Sequence, residues 1–127
     1  MTKVLVTGSR DWTDKKVIHD ALDDIVVSYS GPYTLIHGDC PTGADKIAAD
    51  YATELKWEII PEPADWEKYK RSAGPIRNQK MINTHKPNVA LAFSLNESTG
   101  TAHCIGCLRQ FKRKNPLILL NIQIFSK

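Results

Sequence analysis

Three short stretches combine glycine with hydroxyl, acidic or basic side chains. They are Gly8-Ser9-Arg10-Asp11, Gly38-Asp39-Cys40-Pro41-Thr42-Gly43-Ala44-Asp45 and Ser98-Thr99-Gly100-Thr101. Glycine lets a ligand approach the backbone closely, and hydroxyls and free amides at a helix start suit an anion such as phosphate. In the second stretch Thr42, Gly43, Ala44 and Asp45 would open a helix; a tight turn with a simple cap explains the same residues about as well. The third stretch follows the same logic, with a Ser/Thr cap and a turn glycine as its plainer explanation. Two such stretches in one chain favour a shared nucleotide-like ligand. Neither is a G-x-x-x-x-G-K-[ST] loop and the first is not G-x-G-x-x-G, which disfavours that kind of NTP hydrolysis and weakens NAD or FAD binding.

Two cations stand out. Arg10 is suited to grip phosphate or carboxylate bidentately, unless it pairs with Asp11 or Asp39. Arg77-Asn78 follows Gly74-Pro75 near a helix start, where a cation opposes the helix dipole and so favours a nearby acidic group or ligand. Trp66 and Tyr69 offer a surface for a base, or a hydrophobic lid. Cys104-Ile105-Gly106-Cys107 is half a zinc site with no second pair, so packing is preferred and no metal is expected. His37 reads as a core histidine. His103 lies near the third stretch, but only proximity suggests acid–base chemistry. Lys112-Arg113-Lys114 suits a helix C-terminus better than nucleic acid.

The elements that must position these residues alternate. Apolar strands are expected at Val4–Thr7, Thr34–His37, Trp57–Ile60, Asn88–Phe93 and Leu117–Ile122. Helices are expected at Val17–Val26, Ala44–Leu55, Ala73–Asn83 and Thr101–Lys112, with a long ordered loop over Pro61–Pro75 and a helical turn near Asp65–Tyr69. Strands apolar throughout and separated by helices predict an α/β fold: a single Rossmann-like domain over residues 1–127, with about five mainly parallel strands and helices on both faces. Ligands then sit at the carboxyl ends of the strands.

Composition agrees. The 127 residues carry 17 Lys and Arg against 14 Asp and Glu, and 24% are charged, which excludes disordered and fibrous classes. The net +3 permits an anionic ligand without arguing for nucleic acid. No apolar run approaches the ~20 residues of a membrane span, and no signal peptide is legible. Three cysteines are an odd number in a chain that needs no staples, so disulfides are not expected and a cytoplasmic setting is.

Taken together, Val6-Thr7-Gly8-Ser9-Arg10-Asp11-Trp12, His37-Gly38-Asp39 with Thr42–Asp45, Pro63-Ala64-Asp65-Trp66, Ala73-Gly74-Pro75-Ile76-Arg77-Asn78 with Met81, and Gly100-Thr101 resemble the YspA-type branch of the SLOG superfamily, over nearly the whole chain. The resemblance implies a bacterial or phage domain that binds a nucleotide or an ADP-ribose-like phosphorylated derivative, as a sensor or sequestering protein. It implies no cofactor, a homo-oligomeric state by analogy, and neither membrane nor nucleic acid as partner. The ligand-binding residues expected on this basis are Gly8, Ser9, Arg10, Gly38, Asp39, Thr42, Gly43, Ala44, Asp45, Trp66, Arg77, Asn78, Ser98, Thr99, Gly100 and Thr101. The superfamily is also similar to the Lonely Guy and lysine decarboxylase-like phosphoribohydrolases, which cleave a nucleoside monophosphate to base and ribose phosphate. Their Gly-Gly-x-Gly-Thr-x-x-Glu loop is matched here at Gly100-Thr101, with Asn96-Glu97 at the glycine pair and Cys104 at the catalytic Glu. Arg77, Asp39 and Asp45 are the residues to which catalysis would then fall, with Glu97 another carboxylate in reach. A structural subunit with a vestigial pocket is the third reading.

Overall fold

The computed structural model describes residues 1–127. Five strands, β1 (Thr2–Gly8), β2 (Tyr33–His37), β3 (Glu58–Pro61), β4 (Val89–Ser94) and β5 (Asn121–Ser126), form one sheet in the order β3-β2-β1-β4-β5. Every neighbouring pair is parallel. Four longer helices connect them: α1 (Lys15–Ser28), α2 (Gly43–Glu54), α4 (Ala73–His85) and α5 (Thr99–Lys114). A single turn, α3 (Trp66–Tyr69), and a 3-10 turn at Lys70–Ser72 lead into α4. The arrangement is α/β and Rossmann-like.

Alternation of side chains along each strand divides the core between the two faces. Val4 and Val6 point to one face, where Ile18, Leu22 and Ile25 of α1 and Ala44, Ala48 and Ala52 of α2 cover them. Leu5 and Ile36 point to the other, against Met81 and Ile82 of α4 and Cys104, Leu108 and Phe111 of α5. Each fully buried large aliphatic side chain contributes roughly 1.5–3 kcal/mol, which is why the central strands read as uninterrupted apolar runs. The alanines at i, i+4 and i+8 on α2 leave no bulk between that helix and the sheet.

One element departs from expectation. The last strand is Asn121–Ser126, not Leu117–Ile122. The apolar run that suggested the earlier start is a connection in which Leu117 and Leu119 are 97% and 86% exposed and only Leu120 is fully inside. Pairing begins where Asn121 meets Val89, and β5 is an edge strand in which no residue is fully buried. The third strand also shifts by one, to Glu58–Pro61, and its proline is tolerated because β3 is the opposite edge.

The strand order reverses between β1 and β4, which lie side by side at the centre. Their carboxyl ends, with the starts of α2, α4 and α5 around them, form the crevice where such sheets take ligands.

Candidate functional site

A cavity of about 720 Å³ opens at this switch point. Its walls come from Thr7–Asp11 at the end of β1, Gly38 and Cys40 after β2, Trp66 and Arg71 before α4, the inner side of α4, and Leu95, Asn96, Ser98–Thr101 and His103 after β4. A larger cleft of about 890 Å³ lies at the opposite end of the sheet, lined by residues such as Tyr29, Arg109 and Leu119. It gathers none of the residues expected to bind ligand. The chemistry concentrates in the smaller cavity.

The start of α2 is closed. Gly43 has φ +76°, and a Cβ on it would run into the backbone of Ser9 and Arg10. A Cβ on Gly8 would likewise overlap Ala44. The two loops are therefore pressed together at glycine contacts that larger residues would prevent. Their polar groups satisfy one another: the Ala44 amide donates to the Ser9 carbonyl (3.2 Å) and the Thr42 hydroxyl donates to the Arg10 carbonyl (3.0 Å). Thr42, Gly43 and Ala44 consequently lie behind the cavity wall.

The start of α5 is open. Ser98, its N-cap, makes no capping hydrogen bond to the helix, and the Thr101 hydroxyl donates to Ser98 Oγ (3.2 Å). Beyond its own turn of helix, nothing lies within 4 Å of the position a Cβ on Gly100 would take. The first-turn amides of a helix have no partner within it, and here the space in front of them is the cavity. Ser9 ties this loop to the β1 turn: its amide donates to the Phe93 carbonyl (2.9 Å), and its hydroxyl accepts from the Leu95 amide (2.8 Å). Ser9 thus reaches the cavity with its hydroxyl already engaged.

Three arginines line the space: Arg10, Arg71 and Arg77. None belongs to any of the ion pairs in the molecule. Arg77 reaches across from α4 and donates through Nη1 to the Gly38 carbonyl (2.5 Å) and the Glu62 carbonyl (3.3 Å), and through Nε to Asn78 Oδ1 (2.8 Å). Glycine at position 38 leaves room for this reach, because a Cβ there would meet the guanidinium and push it aside. Arg10 lies over the Trp66 ring, 5.5 Å from its centre, so the half-exposed indole and this cation form one side of the mouth.

One carboxyl group is buried in the wall. Asp45 is 4% exposed; its Oδ2 accepts from the Gly38 amide (3.1 Å) and the Cys40 amide (3.3 Å), while Oδ1 has no partner. Burial pushes its pKa up, opposed by His37, the Cys40 hydrogen bonds and Arg77. The same burial holds the neighbouring His37 below its ordinary value, with Asp45 and Asp39 pulling the other way. His37 Nδ1 accepts from the Asp39 amide (3.0 Å), which makes it a core histidine that shapes the β2 turn. Cys104, at the position of the hydrolases' glutamate, is fully buried in the second core and burial drives its thiol up to about 12. It is a packing residue.

Of the expected ligand-binding residues, Gly8, Ser9, Arg10, Gly38, Asp45 and Trp66 line the cavity, as do Arg77, Asn78, Ser98, Thr99, Gly100 and Thr101. Thr42, Gly43, Ala44 and Asp39 do not; Asp39 is exposed outside it, and Glu97 lies in a separate surface recess. Arg71 and His103 belong to the cavity although neither was among the expected ligand-binding residues. Arg71 carried a weak signal, a cation close to Trp66 in the long loop; His103 carried one through its spacing from Thr99, one helical turn earlier.

A family model described as YspA, cpYpsA-related SLOG family matches residues 2–69. The chain is also similar to the Gene 61 protein of Mycobacterium phage D29, 41% identical over 112 residues that cover 83% of this chain and 86% of that protein. No solved structure matches it significantly. No helix is long and apolar enough to cross a membrane.

Proposed function

This chain belongs to the YspA, cpYpsA-related SLOG family, and we propose that it binds a phosphorylated nucleotide derivative of ADP-ribose type in the switch-point cavity, as a sensor or sequestering protein. One observation carries the reading: three arginines free of carboxylate partners face the same space as the uncapped start of α5. Phosphate oxygens would take the α5 amides and the arginines. Trp66, partnered on one side by Arg10, supplies the aromatic surface for a base. Asp45 is the acceptor for a ribose hydroxyl.

Asp45 also supports a second reading, cleavage of the N-glycosidic bond. In that reaction the C–N bond breaks, water oxygen bonds to the anomeric carbon and keeps one proton as the new hydroxyl, and its other proton passes by way of a carboxylate to the departing base. Among the carboxylates named for this role, Asp45 alone lines the cavity.

The test is a panel of nucleoside mono- and diphosphates, ADP-ribose and cyclic ADP-ribose variants, read by thermal shift and by chromatography. A ligand at a hundred times its Kd adds about 2.7 kcal/mol to native stability. A raised Tm with unchanged ligand is the expected result. Free base with ribose phosphate would establish the hydrolase reading instead, and neither shift nor product with any compound would overturn both.

A further inference from the structure

Donor arithmetic across α4 and α5 orients a residue of the cavity that the reading above does not use. Arg77 Nε is an obligate donor, and it bonds Asn78 Oδ1 (2.8 Å). That fixes the Asn78 amide, because its oxygen must face the arginine. Asn78 Nδ2, which only donates, then faces His103 Nδ1 at 3.4 Å. As the partner of that donor His103 Nδ1 accepts, with Cys107 Sγ 3.7 Å from Nδ1 and 3.8 Å from Nε2 on the same ring, so in the neutral ring the proton is on Nε2. Asn78 is buried and has no freedom to turn over without leaving two donors opposed. Arg77 is itself anchored on the Gly38 carbonyl.

His103 lies one turn beyond Thr99 on α5, so the relay ends beside the open helix start and on the cavity wall. The same cavity holds the unpartnered, buried Oδ1 of Asp45, a second sign that a polar group is missing from it.

We propose that the Arg77–Asn78–His103 relay presents His103 Nε2–H to a phosphoryl oxygen of the ligand, with His103 as a phosphate-binding residue and Asn78 as its positioning residue. The proposal rests on the nucleotide-binding reading and adds a phosphoryl contact to it. An Nε2 lone pair in that place would repel the phosphate, which makes the tautomer the deciding property.

The experiment uses the full chain, nitrogen-15 labelled, at pH 8, with inorganic phosphate as probe. Long-range proton–nitrogen correlation spectra of the His103 ring should show the Nε2–H form before phosphate is added, and a saturable shift at Nε2 with phosphate that chloride at equal ionic strength does not produce. His103→Leu should weaken phosphate binding about tenfold, the worth of a hydrogen bond to a charged group. His103→Gln, which keeps an N–H donor, should recover most of that loss. Asn78→Asp, which puts an acceptor against Nδ1, should move the ring proton to Nδ1. His103 is exposed, so its variants remain informative if the Asn78 variant fails to fold. An Nδ1–H ring in the unaltered protein, or His103→Leu binding phosphate within twofold of it, would overturn the proposal. If ADP-ribose or a nucleotide binds while His103 is indifferent to phosphate, the nucleotide reading stands and this proposal falls. If phosphate engages the ring but no nucleotide binds, the reverse holds.

Discussion

Helices α2 and α5 both start at the carboxyl edge of the sheet, on either side of the switch point, behind similar stretches: Thr42-Gly43-Ala44-Asp45 and Ser98-Thr99-Gly100-Thr101. In space they are opposites. The glycine that opens α2 admits a neighbouring backbone, and the amide next to it is consumed by the Ser9 carbonyl. The glycine in α5 meets nothing beyond its own helix; neither Thr42 nor Ser98 caps its helix through the side chain, but only Thr42 is tied to a neighbouring loop, by its bond to the Arg10 carbonyl. A glycine at a helix start is therefore two different devices, one for close packing of protein and one for leaving room. Local sequence does not separate them; the third body that approaches does.

The largest effect should come from testing the closed start. Gly43→Ala adds a methyl at positive φ into the Ser9–Arg10 backbone. Strain at φ and the overlap together should cost about 3 kcal/mol. For a domain of this size that lowers Tm by roughly 10 °C, measurable by calorimetry. A loss under ~1 kcal/mol would mean that the two loops are not pressed together, and the contrast between the helices would fail.

Asp45→Ala should follow, at about 2–3 kcal/mol, because the Gly38 and Cys40 amides lose their acceptor. The pH dependence of the same residue has a definite sign. Burial raises its folded-state pKa, so the folded protein holds this proton more tightly than the unfolded chain. Its contribution is complete below the ordinary value of 3.8 and is lost as pH rises through the raised folded value. Asp45→Asn keeps an acceptor and removes the titration. Urea unfolding at pH 4 and pH 7 should show the variant gaining on the unaltered protein as pH rises; the opposite trend would mean that hydrogen bonds to the carboxylate outweigh its burial.

These contrasts also mark what was legible in the residues. The central strands were, because Val4-Leu5-Val6 and Val89–Phe93 are buried on both faces and leave no polar position to confuse the period. The inner stripe of α2 was legible for the corresponding reason. The fifth strand starts later than expected because Leu117–Leu120 is the more apolar run, whereas the edge strand itself is only half-buried and mixes Asn121, Gln123 and Ser126 with its apolar residues. In the site, glycines and arginines announced a polar cavity, but not which glycine faced it. Arg71 was missed because only the folded path of the Pro61–Pro75 loop brings it over the cavity. The link from Asn78 to His103 spans 25 residues and exists only because α4 and α5 lie side by side on one face.

A smaller effect, confined to binding, is expected from Arg71→Ala. Arg71 is exposed at the cavity and belongs to no ion pair, so stability should stay within about 0.5 kcal/mol. Removing one charge-assisted bond to a phosphate should weaken the best ligand of the panel by about tenfold. Loss of stability without loss of affinity would assign this arginine to the fold.

The smallest change in stability, and the one that most sharpens the comparison, is the first substitution repeated at the other helix. In Gly100→Ala the new methyl meets no atom within 4 Å beyond its own turn of helix, and alanine is the better helix former by up to ~1 kcal/mol. Near a helix end the gain should be a few tenths of a kcal/mol, opposite in sign to Gly43→Ala. The methyl would nevertheless stand in the space where a phosphate must approach the first-turn amides. Affinity for the best ligand should therefore fall severalfold while Tm holds or rises slightly, read by isothermal titration beside calorimetry. Unchanged affinity would show that ligand does not come close to Gly100, and the open start of α5 would have to be an exposed helix end rather than a phosphate seat.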